Sequence, residues 1–303
     1  MKAISGFEFT GVEWKAFFKR LYDRIFDADI FSRAAQVAFF FSFALFPLLY
    51  FLVSLFGMLL ESSEGLRVEL FTYLRRIMPR AVFELVSKTV DEIVNNSSGG
   101  KLTLGLIVTL WSASAGVDAI RTALNDVYKL KETRYWWRTR TQSILLTVIV
   151  AILIVIVLAI VFYGWQLFEI ASAEIGFRVS STVILVIIQW VSILLVMLLA
   201  CEIIYNLLPD FKEFTWIWIT PGSLIAIFLW LVLTNILRFY LGYFDTYDKA
   251  YGSLGAVMIM MLWLYLTALA LMIGGAINAI LHELRIEHRI AQEPVELNEE
   301  PAA

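Results

Sequence analysis

The chain has one cysteine, two histidines and six prolines in 303 residues. A single thiol excludes an internal disulfide and a thiolate metal site. Cys201 sits inside an apolar run, where it reads as a small hydrophobic filler. His282 and His288 lie in the charged C-terminal segment, off any common helix face, so they do not suggest a metal centre. Charge is scarce as well. Charged residues make up 17%, where a soluble domain carries roughly 25%. The net charge of −3 shows no bias toward nucleic acid. Catalytic signatures are missing too. There is no Gly-rich loop followed by Lys-Ser or Lys-Thr, which excludes a P-loop motor. No His-Glu-x-x-His or Gly-x-Ser-x-Gly occurs. No histidine lies in an apolar run to serve a triad, and the runs hold too few carboxylates for nuclease metals. The expectation is a protein that is not an enzyme and uses no cofactor.

What remains is apolar. Hydrophobic residues make up 60% of the chain and the mean hydropathy is +0.77. A soluble domain carries roughly 45–50% apolar residues, so a bilayer is the natural solvent for this surplus. Six runs read as spans: 34–60, 102–120, 144–168, 183–208, 217–240 and 254–281. Pro47 is expected to kink the first. Pro221 falls in the first turn of the fifth, where proline is tolerated. Trp111-Ser112-Ala113-Ser114-Ala115-Gly116 gives the second a small-residue face for close helix approach. The expected fold is all-α, a polytopic membrane helix bundle of about six transmembrane helices plus short amphipathic interfacial helices.

Residues 1–33 form a basic amphipathic segment without the apolar core or cleavage site of a signal peptide, so the first span is expected to stay as an anchor. Thr10 and Glu13 have capping-box spacing. Trp14, Phe17, Phe18, Leu21, Ile25 and Phe26 share one helical face, with Lys15, Lys19, Arg20 and Arg24 largely off it. Such a helix either lies among lipid headgroups or docks on the protein's own membrane domain. That domain covers 34–282. Within it, 61–100 reads as two amphipathic helices on the outer side, interrupted at Pro79 and ended by a turn at 95–100. Residues 283–303 form an acidic tail, expected to be disordered after Pro294. No internal repeat is visible.

Six spans place both termini on one side. That side carries fifteen lysines and arginines against eight on the other, with Arg238 inside a span. The excess marks the termini as cytoplasmic. The basic stretch from Lys129 to Arg140 fits this orientation better than it fits nucleic-acid binding. Trp136, Trp137, Trp165, Trp216 and Trp218 lie near span ends, as an interfacial belt requires; Trp111 and Trp263 lie inside spans and read as packing.

Polar groups inside spans are the candidate pathway residues, because ionisable side chains in hydrocarbon usually face a bundle interior or a wet cavity. They are Glu202, Arg238, Asp118, Arg121, Gln36, Asn206 and Asn278, with Gln189 and Asn235 beside them. Glu202 either binds a proton or cation in a cavity or pairs with a lysine or arginine at the interface. Arg238 either lines a cavity or snorkels to the outer headgroups. Asp118 and Arg121, three apart, either pair with each other or line a cavity. The amides read chiefly as interhelical hydrogen-bonders.

Four stretches resemble the YihY/BrkB family of bacterial membrane proteins. They are Ala34-Ala35-Gln36-Val37-Ala38-Phe39 with Phe46-Pro47; Trp111-Ser112-Ala113-Ser114 with Leu124-Asn125-Asp126-Val127-Tyr128 and Arg134; Tyr205-Asn206-Leu207-Leu208-Pro209; and Tyr251 to Ala256 with Trp263-Leu264-Tyr265 and Gly274 to Asn278. The resemblance covers residues 30–282 and implies a six-span protein of the bacterial inner (cytoplasmic) membrane. The family has carried a ribonuclease label, which the residues here do not support. One departure stands out. The family often has Gly-Ala-Glu-Leu-Asn in its last span, and here Ala276 occupies the acidic position.

Two functional readings follow. The first is a transporter or lipid-translocating protein without its own ATPase, with membrane lipids as its partners. The second is a structural or interaction protein of the cell envelope that uses the 61–100 helices to dock a protein partner. Gly- and Ala-rich helix faces also permit self-association. No nucleic-acid partner is expected.

Overall fold

The computed structural model describes residues 14–44, scattered helical positions between 68 and 88, and residues 102–175, 182–212, 216–243 and 253–292. Pro47, Pro79, the Thr10–Glu13 cap, the 95–100 turn, Arg178, Lys249 and the chain after Pro294 lie outside them. Among the described residues the regular structure is helical throughout. We number the helices α1 (Trp14–Asp27), α2 (Ile30–Ala44), α3 (Leu102–Val127), α4 (Trp136–Ile175), α5 (Thr182–Leu207), α6 (Pro221–Tyr243) and α7 (Ser253–Gln292).

Four stretches are long and apolar enough to cross a membrane: Trp136–Ile160, Val186–Leu207, Pro221–Tyr243 and Gly255–Leu284. They carry the third to sixth expected spans. The second expected span lies within α3, and the first begins in the shorter α2, with 45–60 outside the described residues. Between 68 and 88, Phe71 meets Phe83 edge-on with ring centroids 6.0 Å apart, while the apolar stripes expected in 61–100 lie outside the described residues.

Neighbours in the chain are neighbours in space. α3 packs on α4, α4 on α5, α5 on α6 and α6 on α7, and α7 returns to α3. Five helices thus close a ring. Their shared core draws on Ile30, Ala34 and Val37 of α2, Ile120 and Leu124 of α3, Leu146 and Leu153 of α4, Ile203 of α5, Ala226 of α6 and Met272 of α7. The small-residue face of α3 does what its composition suggests: a Cβ at Gly116 would come 3.1 Å from the Phe41 ring, so the missing side chain admits α2. Large apolar side chains such as Leu195, Phe228 and Phe239 stay exposed, as lipid-facing residues do.

One end of the bundle gathers α1, the starts of α2, α4 and α6, and the ends of α3, α5 and α7. The ion pairs Arg33–Asp126 and Arg24–Glu283, and the Arg134 bond to the Leu208 carbonyl, tie these ends together. We call it the basic end. The helices therefore run alternately away from it and back.

One helix face and two boundaries differ from expectation. α1 is amphipathic, but Arg24 is 4% exposed and shares the docked side with Phe17. The guanidinium bonds Glu283 and the Val127 carbonyl, while Phe17 packs on Ile277, Ile280 and Leu281. Phe18, Tyr22 and Phe26 face outward instead. Long-range ion pairing overrode the simple apolar-face rule. The connection between the second and third expected spans is also largely helical, because α3 runs to Val127 and α4 starts at Trp136. α3 closes when the Leu130 amide bonds the Asn125 carbonyl and the Lys129 amide bonds that of Asp126. This double closure needs a left-handed residue, and Lys129 supplies it with φ 55°. Finally, α7 continues past 281 to Gln292. Arg20 and Arg24 grip Glu287 and Glu283 on that extra length.

Candidate functional site

Pro221 opens α6, and Thr220 caps it: the Thr220 hydroxyl accepts from the Ser223 amide at 3.3 Å. A proline at the first helical position behind a threonine cap is a strong local start signal. The cap delivers Thr220 and Ser223 to the last turns of α5, where Glu202 is 1% exposed. Glu202 Oε1 accepts from the Thr220 amide at 2.6 Å, the Thr220 hydroxyl at 2.9 Å and the Ser223 hydroxyl at 2.5 Å. Oε2 accepts one longer bond, 3.3 Å from Asn206 Nδ2. Among the described residues no lysine or arginine pairs with Glu202, so the interfacial ion pair considered for it is not found.

Two asparagines complete the centre. Asn206 accepts from the Ile217 amide at 3.1 Å and donates to the Ile217 carbonyl at 3.2 Å. It thereby pins the strand of chain entering α6. Asn278 of α7 accepts from the Gly222 amide at 2.8 Å and donates to the Thr220 hydroxyl at 2.9 Å. Asn278 bonds between helices, as polar residues in membrane bundles usually do, and Asn206 bonds α5 to the segment that leads into α6. Tyr205 donates to the Leu271 carbonyl at 2.7 Å. Further along the same crossing, the Trp230 and Trp263 ring N–H groups donate to Thr267 and Thr234 respectively.

A charged network covers the basic end. Arg121 binds Asp118 at 2.9 Å and also Glu132. Arg134 binds Glu132 at 2.7 Å, lies 3.4 Å from Asp210, and donates to the Leu208 carbonyl and Gln142. Gln142 in turn donates to the Leu207 carbonyl. Side chains of α4 and its approach thus satisfy carbonyls at the end of α5, which have no helical partner of their own. Asn125 joins Glu132 to the Asp210 amide. Partial burial raises the Glu132 pKa, but the hydrogen bonds and charge of Arg134, with the charge of Arg121, hold it at about 2. Asp118 and Arg121 therefore do pair, within a larger cluster.

The remaining candidates lie apart from this centre. Gln36 is exposed and accepts from Arg33 of its own helix at 3.2 Å. Arg238 is partly buried on α6, more than four turns beyond Thr220. Ala276, at the position where an acid was expected by resemblance, is fully buried in the shared core. Thr220, Ser223, Glu132 and Asp210 were not singled out from sequence. Serine and threonine beside a proline give a cap signal, but only the fold brings that cap to Glu202.

An open groove of about 680 Å³ lies at the basic end, between the start of α4 and the end of α5. Arg134, Arg138, Trp137, Asp210 and Lys212 line it, and Asn206 contributes to its wall. The amide that bonds Glu202 Oε2 thus also borders this groove.

Comparison with known proteins bears on the whole bundle. The ribonuclease-like protein YfkH of Bacillus subtilis, so named, is 31% identical over 88% of this chain and 96% of its own length. A UPF0761 membrane protein of Aggregatibacter aphrophilus is 25% identical over 94% of this chain and 99% of its own length. A UPF0761 membrane protein of Xanthomonas campestris pv. campestris strain B100 is 24% identical over 90% of this chain, which spans 62% of that longer relative. No solved structure matches. The family model described as "Virulence factor BrkB" matches residues 21–298, from α1 through the whole bundle, and this chain is a membrane protein of the BrkB family.

Proposed function

We propose that this protein is a transporter of lipid-like substrates that carries no ATPase and performs no enzymatic step, with Glu202 as its proton-binding group. The observation behind this reading is the contact between Glu202 and the Ser223 hydroxyl, which is one hydrogen short. The Ser223 hydroxyl lies 2.5 Å from Glu202 Oε1 and 2.7 Å from the Thr220 carbonyl. It has one hydrogen for two acceptors. A proton on the carboxyl group supplies the second hydrogen. Loss of that proton leaves a buried charge without a cationic partner among the described residues, held there by neutral donors. Such a group in a membrane protein is costly and points to ion handling.

The coupling route is local. Glu202 on α5 holds the cap of α6, and Asn278 on α7 holds the same cap from the other side. Gain or loss of a proton changes the grip of α5 on α6 and α7, and so biases two arrangements of the bundle. The basic end faces the cytoplasm of a bacterial inner membrane in this reading, following the excess of lysine and arginine. Both termini lie on that side. A reporter active only outside the cytoplasm, fused at Ala303, should be silent; an active one overturns the orientation.

The decisive test is lipid movement in proteoliposomes, with fluorescent phospholipids bleached from outside and wild type beside Glu202→Gln. Protein-dependent bleaching of inner-leaflet lipid, slowed about tenfold or more by the substitution, is the expected result. With insertion verified, no bleaching above empty vesicles overturns the lipid pathway. Equal rates in the two proteins remove Glu202 from the mechanism.

A further inference from the structure

We infer that the groove between α4 and α5 is a binding site for the headgroup of an anionic phospholipid. The site lies at the correct depth. It sits at the start of one membrane-length helix, Trp136–Ile160, and the end of another, Val186–Leu207. Tyr135, Trp136 and Trp137 are exposed at the start of α4, and Trp218 is exposed on the approach to α6; aromatic rings at such positions anchor a protein among headgroups.

The charge around the groove is divided in a telling way. Arg134 is committed to Glu132, Gln142 and the Leu208 carbonyl. Asp210, the acid in the lining, accepts from the Thr133 amide at 2.8 Å and the Thr133 hydroxyl at 2.6 Å, and faces Arg134. The acid is therefore already satisfied. Arg138 and Lys212 also line the groove and are exposed, and among the described residues neither side chain has an ion-pair partner. Two uncommitted cations beside a neutralised acid favour an anion.

The helix end adds to the same preference. The first turn of α4 contains no acid, although acids stabilise helix starts and cations oppose them. Arg138 stands in that turn. An anionic headgroup placed there relieves the unfavourable pairing of a cation with a positive helix end. Leu145 continues the groove two helical turns beyond Arg138, and Leu207 lines it from α5. Charge at the mouth, exposed rings beside it and an apolar floor match an amphiphile, and not a free inorganic anion. A phosphate bound at Arg138 and Lys212 shares the groove with Asn206, which bonds Glu202. The groove would then be the loading point of the proton-linked centre.

The substrate role of this lipid rests on the transport reading above, but its test reads binding alone. The experiment uses the purified full chain in detergent, with tail-labelled phosphatidylglycerol or phosphatidylcholine as energy-transfer acceptor for tryptophan. Phosphatidylglycerol should bind about tenfold more tightly. Arg138→Gln with Lys212→Gln should erase that preference, and since both side chains are exposed the fold should survive; thermal unfolding checks this. Glu202→Gln should keep the preference even where transport is lost. Equal binding of the two lipids overturns the inference, as does an unchanged preference in the double variant. Inorganic phosphate that displaces the labelled lipid as well as unlabelled phosphatidylglycerol would show a free-phosphate site and also overturn it. Failure of lipid movement with an intact headgroup preference would count against the transport reading only.

Discussion

Gly222 of α6 and Gly274 of α7 cross so closely that a Cβ on either would overlap the other's carbonyl oxygen. The two helices meet backbone to backbone. Packing of this kind replaces the hydrophobic drive that lipid cannot supply between helices. It also sets the distance across which Asn278 reaches the Gly222 amide.

Substituting either glycine should therefore be costly. Gly222→Ala meets backbone, which cannot move aside as a side chain can, so a loss of about 3 kcal/mol is expected. Gly242→Ala is the control, because its added Cβ has nothing within 4 Å. That variant should be neutral or gain up to about 1 kcal/mol from helix propensity. Thermal unfolding in detergent should rank Gly222→Ala well below wild type and Gly242→Ala level with it or above.

Asn278→Leu should loosen the start of α6 without unfolding the bundle. The change leaves the Gly222 amide without its partner, at about 1–3 kcal/mol, and removes one of the donors to the Thr220 hydroxyl. Hydrogen exchange at Gly222 should accelerate by tenfold or more, while amides in the middle of α4 keep their protection. Unchanged exchange at Gly222 would show that the asparagine does not hold the cap.

The two arginines of α1 should behave differently. Arg24 is buried and reaches both Glu283 and the Val127 carbonyl, so Arg24→Ala should cost on the order of 2 kcal/mol. Arg20 meets Glu287 in solvent, and its hydrogen bond holds that carboxyl below the usual range. Salt screens such a pair, and Arg20→Ala should leave stability in high salt unchanged. Limited proteolysis near residue 14 reports detachment of α1 in each variant.

Acid should act through Glu132. Its ordinary pKa of 4.5 falls to about 2 in the folded chain. A depressed carboxylate contributes stability above its unfolded pKa and loses it as pH drops through the folded value. Wild type should therefore lose stability between pH 4.5 and about 2. Glu132→Gln should start less stable at neutral pH, and its gap from wild type should narrow across that window. A gap of constant width down to pH 2 would remove Glu132 from the acid response.

Much of this protein is written along the chain. Runs of apolar residues specify membrane helices because no other open-ended structure satisfies its backbone in hydrocarbon. Gly116, with its small neighbours, marks a close helix contact, and Asp118 with Arg121 marks an ion pair, because helical spacing is local information. Glu202, Asn206 and Asn278 stand out for the same reason: polar groups are rare in such runs.

Other features arise only when distant segments meet. Arg20 and Arg24 look like the solvated side of an amphipathic helix until α7 brings Glu283 and Glu287 to them. Thr220 and Ser223 are an ordinary cap until α5 places Glu202 above it. Sequence determined that this chain lives in a membrane and which stretches are long and apolar enough to cross it, because burial and backbone satisfaction depend on composition and period. Only the tertiary structure decided that Glu202 is held by hydroxyls and amides, with no cation among the described residues, because the partners of a buried charge are chosen by which helix ends share one face of the bundle.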